Sequence, residues 1–151
     1  MSEGERDLIK LYSGRILALA AAIPHTERLP EPDGQARKRS PLCGSTVTVD
    51  LRLKDGRIEA YGQEVRACAL GQAAASVIGA RAIGCDLATL QRGREQLAAM
   101  LKEGAPPPDA PFEELKVLEP ARDFKNRHAS ILLSFDAAIE AFESALKSDC
   151  A

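Results

Sequence analysis

Apolar residues at Leu8, Tyr12, Ile16, Leu19 and Ile23 recur at three- and four-residue steps, which predicts one amphipathic opening helix stopped by Pro24. The stretch from Thr26 to Gly34 carries Pro30, Pro32 and Gly34 and reads as a loop. From Thr46 the period changes to two. Val47, Val49, Leu51 and Leu53 point one way and Thr46, Thr48, Asp50 and Arg52 the other, the pattern of a half-buried strand. Asp55-Gly56 supplies the positive-φ residues of a tight hairpin turn, so Arg57 to Arg66 is expected to return as a second strand. Gln35 to Ser40 is a candidate third strand at the edge of this sheet.

Beyond Cys68 the spacing becomes helical again. Leu70, Ala73, Ala74, Val77 and Ile78 share one face, while Ala75, Ser76, Gly79 and Ala80 keep the helix slim enough for close packing. Asp86 is placed to cap a further helix carrying Leu87, Leu90, Leu97 and Leu101, which Gly104 ends before Pro106-Pro107-Pro108. Pro111 to Leu118 reads as a short helical turn. Ile131, Leu132, Phe135, Ile139, Phe142 and Leu146 then form a long apolar stripe from about Ser130 to Lys147. The order helix, strands, helices predicts an α+β fold with helices packed on a small antiparallel sheet. No internal repeat and no phosphate-cradling glycine loop interrupts it.

Length and composition narrow the picture. At 151 residues with 45% hydrophobic content, residues 1–151 are expected to form one domain with a single core. Aromatics are only 4%, so Ala, Leu, Ile and Val must fill that core. A formal charge of −2 leaves no electrostatic footprint for nucleic acid, and Arg37-Lys38-Arg39 reads as the solvated face of an edge strand. The longest apolar run, Ile16 to Ile23, is far short of the roughly 20 residues that span a bilayer. The acidic start Met1-Ser2-Glu3-Gly4-Glu5 lacks the basic and apolar parts of a signal peptide, so a cytoplasmic location is expected. In that reducing setting the four cysteines are better read as thiols or metal ligands than as disulfides.

Three residues occupy positions poor for ordinary structure and good for a metal. Cys43 lies in Pro41-Leu42-Cys43-Gly44-Ser45, a tight turn just before the strongest strand. Cys68 ends the second strand at the N-terminus of the next helix, where the helix dipole favours a thiolate. His128 opens the final helix above Leu132 and Phe135. A turn before one strand and the end of its antiparallel partner share a sheet edge, so Cys43 and Cys68 can meet there. With His128 they make a mixed sulfur–nitrogen set suited to zinc or an iron–sulfur cluster. Other readings stay open: a lone Cys is ordinarily a small buried hydrophobe, and a lone His at a helix start an ordinary end group. Cys85, in a helix-to-helix turn, and Cys150, in the tail, are weaker ligand candidates. A Cys68–His128 nucleophile pair has no oxyanion-stabilising or substrate-binding motif beside it, so no enzyme is expected.

These segments resemble the NifU-like scaffold family, which includes the IscU and SufU proteins. Leu42-Cys43-Gly44-Ser45 resembles its first cysteine motif. Arg66-Ala67-Cys68-Ala69-Leu70-Gly71-Gln72-Ala73-Ala74-Ala75-Ser76 resembles its second, and His128-Ala129-Ser130-Ile131-Leu132 its third, His-Cys-Ser-Ile-Leu. The resemblance implies a three-stranded antiparallel sheet with helices packed on it. It also implies a scaffold or carrier that binds a labile [2Fe–2S] cluster, iron or zinc through Cys43, Cys68 and His128, with a cysteine desulfurase and recipient apo-proteins as partners. The long interval before the third motif is similar to the SufU branch. Two family positions differ: Ala129 stands where the third cysteine belongs, and Ser45 where Cys-Gly is normally followed by Asp. Asp123-Phe124-Lys125-Asn126-Arg127 replaces the Leu-Pro-Pro-Val-Lys segment that IscU proteins present to a chaperone. The alternative implied by these losses is a degenerate scaffold that binds a desulfurase or regulates its partner without building clusters.

Overall fold

The computed structural model describes residues 13–41 and 44–150, with side chains described as far as residue 148. Helix α1, Gly14–Ala21, starts where the Ser13 hydroxyl accepts from the Ile16 amide at 3.4 Å. It buries Ile16, leaves Leu17 50% exposed, and ends before Ile23 rather than at Pro24. The Leu8 and Tyr12 part of its expected stripe lies outside the described residues.

Strands β1 (Gly34–Arg39), β2 (Thr46–Lys54) and β3 (Arg57–Arg66) form one antiparallel sheet in the order β1-β2-β3. The expected third strand is therefore real, and Arg37-Lys38-Arg39 does lie on an edge. Asp55 (φ 54°) and Gly56 (φ 75°) both take the left-handed conformation that turns β2 into β3 with the twist the strands require. One sheet face, carrying Gly34, Ala36, Val47, Val49 and Leu51, packs on the last helix. The approach is so close that a Cβ on Gly34 would run into backbone atoms of Ala141 and Ala145.

The opposite face departs from the alternation. Asp50 is fully buried, not solvated, because residues 25–29 of the loop cross over it. A Cβ at Gly62, the cross-strand partner of Asp50, would meet the Glu27 carbonyl. The His25 carbonyl accepts from the Gln63 amide at 2.8 Å. Arg28 donates to Asp50 through Nε at 2.6 Å and Nη2 at 3.1 Å, with further bonds from the Leu29 amide (3.1 Å) and Gln35 Nε2 (2.7 Å). The carboxylate accepts four bonds, which is what makes its burial tolerable.

Helix α2, Ala69–Ala82, is buried along most of its length, and its small residues let neighbours approach closely. A Cβ on Gly79 would meet Gln63, and one on Gly71 would meet Ser130 Oγ. Helix α3, Leu87–Glu103, is capped by Asp86, which accepts from the Thr89 amide at 2.9 Å, and ends at Gly104 with φ 69°. The turn expected over Pro111 to Leu118 is longer: a 3₁₀ segment runs Glu113–Asp123. Leu115, Leu118 and Ala121 recur every three residues along it and are all buried, the period of a 3₁₀ helix.

Helix α4, His128–Cys150, continues past Lys147, so Cys150 lies in the helix and not in a tail. Its Ile131, Leu132, Phe135 and Phe142 are buried as expected. Leu133, Ala137, Ala138, Ala141 and Ala145 are buried too, because sheet and helices flank it on several sides. Phe135 meets Phe112 edge to face at 5.0 Å. Among the described residues, no helix is long and apolar enough to cross a membrane.

Candidate metal centre

Three chain segments come together at the N-terminal end of α4. The first is the turn between β1 and β2. It is closed by the Gly44 amide donating to the Ser40 carbonyl at 2.9 Å and the Ser40 amide donating to the Ser45 carbonyl at 2.8 Å. Gly44 has φ 71°, a conformation glycine takes freely. Cys43, the first expected ligand, lies outside the described residues.

Cys68 is the residue from which α2 starts, with extended backbone (φ −67°, ψ 169°) and a side chain that caps nothing. The residue is partly buried against the core, and its sulfur lies 3.7 Å from Ser130 Oγ. Ser130 Oγ in turn donates to Ser45 Oγ at 3.1 Å. The missing Cβ of Gly71 makes room for this contact. Ser45 thus has its oxygen tied into a buried hydroxyl chain that links all three segments.

His128 is the first residue of α4 and only 6% exposed. Its Nε2 lies 3.0 Å from the Ala121 carbonyl and 3.2 Å from the Arg122 carbonyl. Carbonyls only accept, so Nε2 carries the proton, and Nδ1 of the neutral ring carries the lone pair. A ring held by one N–H against backbone carbonyls, with its other nitrogen basic, is the arrangement usual for a metal-ligating histidine. Residues 128 and 130 leave the helix about 200° apart. His128 therefore faces the 3₁₀ segment while Ser130 faces Cys68, and Ala129 sits between them, exposed.

The remaining cysteines stand apart. Cys85 is buried, its Sγ donates to the Arg81 carbonyl at 3.2 Å, and burial, helped by the Asp86 carboxylate, pushes its thiol up. The side chain of Cys150 is not among those described. Among the described residues no three His, Cys, Asp or Glu side chains group around one point. The described part of the expected set is Cys68 and His128, which approach α4's first turn from different sides.

Two features of the site escaped the sequence. One is the Ser45–Ser130–Cys68 chain, whose only signal was a serine on a buried step of an apolar stripe. The other is a cavity of about 790 Å³ beside His128 and Ala129, lined by residues from four stretches of chain.

No family model matches the sequence, and no curated protein does. Solved structures do. The crystal structure of a nitrogen-fixing NifU-like protein (N-terminal) from Brucella abortus is 42% identical, with a TM-score of 0.90 over 93% of this chain and 98% of that one. A protein assigned as an iron–sulfur cluster assembly scaffold of the SUF system, from thermophilic Fervidobacterium islandicum, shares the fold. Its TM-score is 0.79 at 17% identity, over 89% of this chain and 98% of that one. With an identity of 42% across nearly the full length of the Brucella protein, the chain belongs to the NifU-like family.

Proposed function

We propose that this chain is an iron–sulfur assembly scaffold or carrier. It holds a labile [2Fe–2S] cluster, iron or zinc as cargo through Cys43, Cys68 and His128 and passes the cargo, or sulfur, to recipient apo-proteins. The observation that carries the reading is the fixed imidazole of His128, whose Nε2–H is spent on two carbonyls so that Nδ1 keeps its lone pair. Cys68 supports it as a half-buried residue at the start of α2, and the Ser40–Ser45 turn that contains Cys43 brings Ser45 into the same hydroxyl chain. The donor set fits the cargo, since thiolate and imidazole together suit zinc and iron–sulfur clusters. Neither Ala129 nor the hydrogen-bonded Ser45 completes the set, and an incomplete set favours release over retention. A cysteine desulfurase is the expected sulfur donor, with Cys68 the remaining acceptor.

The test is metal analysis of the purified chain, followed by anaerobic reconstitution with iron and sulfide. Wild type should retain zinc or iron near one equivalent and develop charge-transfer absorbance, and Cys68→Ala and His128→Ala should each lose at least ten-fold in affinity. Wild type with neither metal nor absorbance sinks the reading. A second reading is favoured by Ala129 and by the burial of Ser45: a degenerate scaffold that docks a desulfurase without building clusters. It is supported if a Cys43→Ala, Cys68→Ala double variant captures a desulfurase as strongly as wild type does.

A further inference from the structure

The cavity beside the site gathers positive charge that the chain as a whole lacks. The chain has a net charge of −2, yet six cations and two acids line this one space. Two of the six are neutralised: Arg94 donates to Asp136 at 2.9 Å, and Lys38 lies 3.5 Å from Glu140. Among the described residues Arg39, Lys102, Arg122 and Lys125 enter no ion pair, and Asp123 is the one unpaired acid in the lining. The four cations come from β1, α3, the 3₁₀ segment and the short turn before α4, so they reach the space from several directions. Two are seated against backbone. A Cβ on Gly104 would stand 2.8 Å from Arg122 Nη1, and one on Gly44 would stand 3.9 Å from Arg39 Nη2. A concave space ringed by one sign of charge concentrates the other. At about 790 Å³ it is of the size that holds a small organic molecule.

Floor and rim together decide which anion. Leu101, Leu132 and Leu133 line the space with apolar side chains from the core, so a ligand that only carried charge would leave them uncovered. A carboxylate accepts in one plane. A phosphate monoester carries close to two charges on three oxygens spread in three dimensions, which suits cations arriving from four parts of the chain. We propose that the cavity binds a small, free phosphate monoester with an apolar body. Its oxygens accept from Arg39, Lys102, Arg122 and Lys125, and its body lies on the three leucines. Exposed Ala129 lines the same space and would be covered by the bound molecule. Such binding needs neither a metal nor a thiol, so it stands or falls separately from the proposed function.

Calorimetry on the full chain without added metal tests this, at low ionic strength and slightly alkaline pH, with three probes. They are 2-naphthyl phosphate, inorganic phosphate, which has the charge alone, and 2-naphthoate, which has the same apolar body with one planar charge. The naphthyl phosphate should bind at least ten-fold more tightly than either of the others. A Lys102→Glu, Lys125→Glu variant, changed at two exposed positions of the rim, should weaken it at least ten-fold. An Arg37→Glu, Lys54→Glu variant has the same net charge but is changed at exposed positions outside the cavity, and it should bind as wild type does. Ala129→Phe, which puts a ring into the cavity from an exposed position, should abolish binding. The inference is overturned if naphthyl phosphate does not bind, if it binds no better than either control probe, or if Ala129→Phe leaves it unaffected. It is equally overturned if the two charge-reversed variants behave alike, since the anion would then answer to overall charge and not to the cavity.

Discussion

Asp50 shows how much one residue organises. Burial pushes its carboxyl up, but the hydrogen bonds from Arg28, Gln35 and the Leu29 amide outweigh this and hold it below the usual carboxylate range. These bonds fasten the 25–29 loop over the sheet. Asp50→Asn should cost about 2–4 kcal/mol in urea unfolding at pH 7, since it leaves Arg28 and Gln35 donating to an amide. A folded value below the unfolded one of about 3.9 means the stabilisation is fully present above roughly pH 4. It is lost as pH falls through the folded value. The gap between wild type and Asp50→Asn should therefore narrow on acidification; a gap that is constant with pH would show that the charge contributes nothing. Glu64→Gln, which removes an exposed carboxylate 3.5 Å from Arg28 and 3.2 Å from Arg66, should change stability by less than about 0.5 kcal/mol.

Among the elements, what was legible in the sequence was local. The hairpin turn at Asp55-Gly56, the cap at Asp86 and the stop at Gly104 each depend on residues within a few positions of one another, and the structure has them where spacing places them. The two-sided burial of β2 was not legible, because Arg28 lies 22 residues from Asp50 and a polar face reads as a wet one until something is known to cover it. The candidate site divides in the same way. Cys68 and His128 stand at helix starts as their neighbours imply, whereas the cavity's cations come from β1, α3 and the segment before α4, which no spacing rule connects. Glycines make the contact between elements testable. At Gly34 a Cβ would collide with the backbone of α4, which cannot yield as a side chain does, so Gly34→Ala should cost about 3 kcal/mol or more. At Gly14 nothing among the described residues lies within 4 Å and the backbone is helical, so Gly14→Ala should gain roughly 0.4–1 kcal/mol. Equal effects at the two positions, by chemical denaturation, would contradict the close seating of β1 on α4.

At the scale of the whole molecule, the site is a junction. The Ser40–Ser45 turn, the start of α2 and the start of α4 are far apart along the chain and meet only when the sheet and both helices are assembled. An ion bridging them binds the folded chain and not the unfolded one, so it must stabilise the fold by mass action. With free zinc at a hundred times the dissociation constant, the gain is about 2.7 kcal/mol. For a chain of this length that corresponds to a rise in Tm of roughly 5–10 °C, reversed by a chelator. Cys85→Ala should leave the rise intact, because that thiol is buried against the Arg81 carbonyl, away from the junction. Cys68→Ala and His128→Ala should each remove most of it, while melting normally without metal. Scanning calorimetry of the four proteins with and without zinc separates a bridge from adventitious binding: an equal rise in all of them would place the metal elsewhere on the chain.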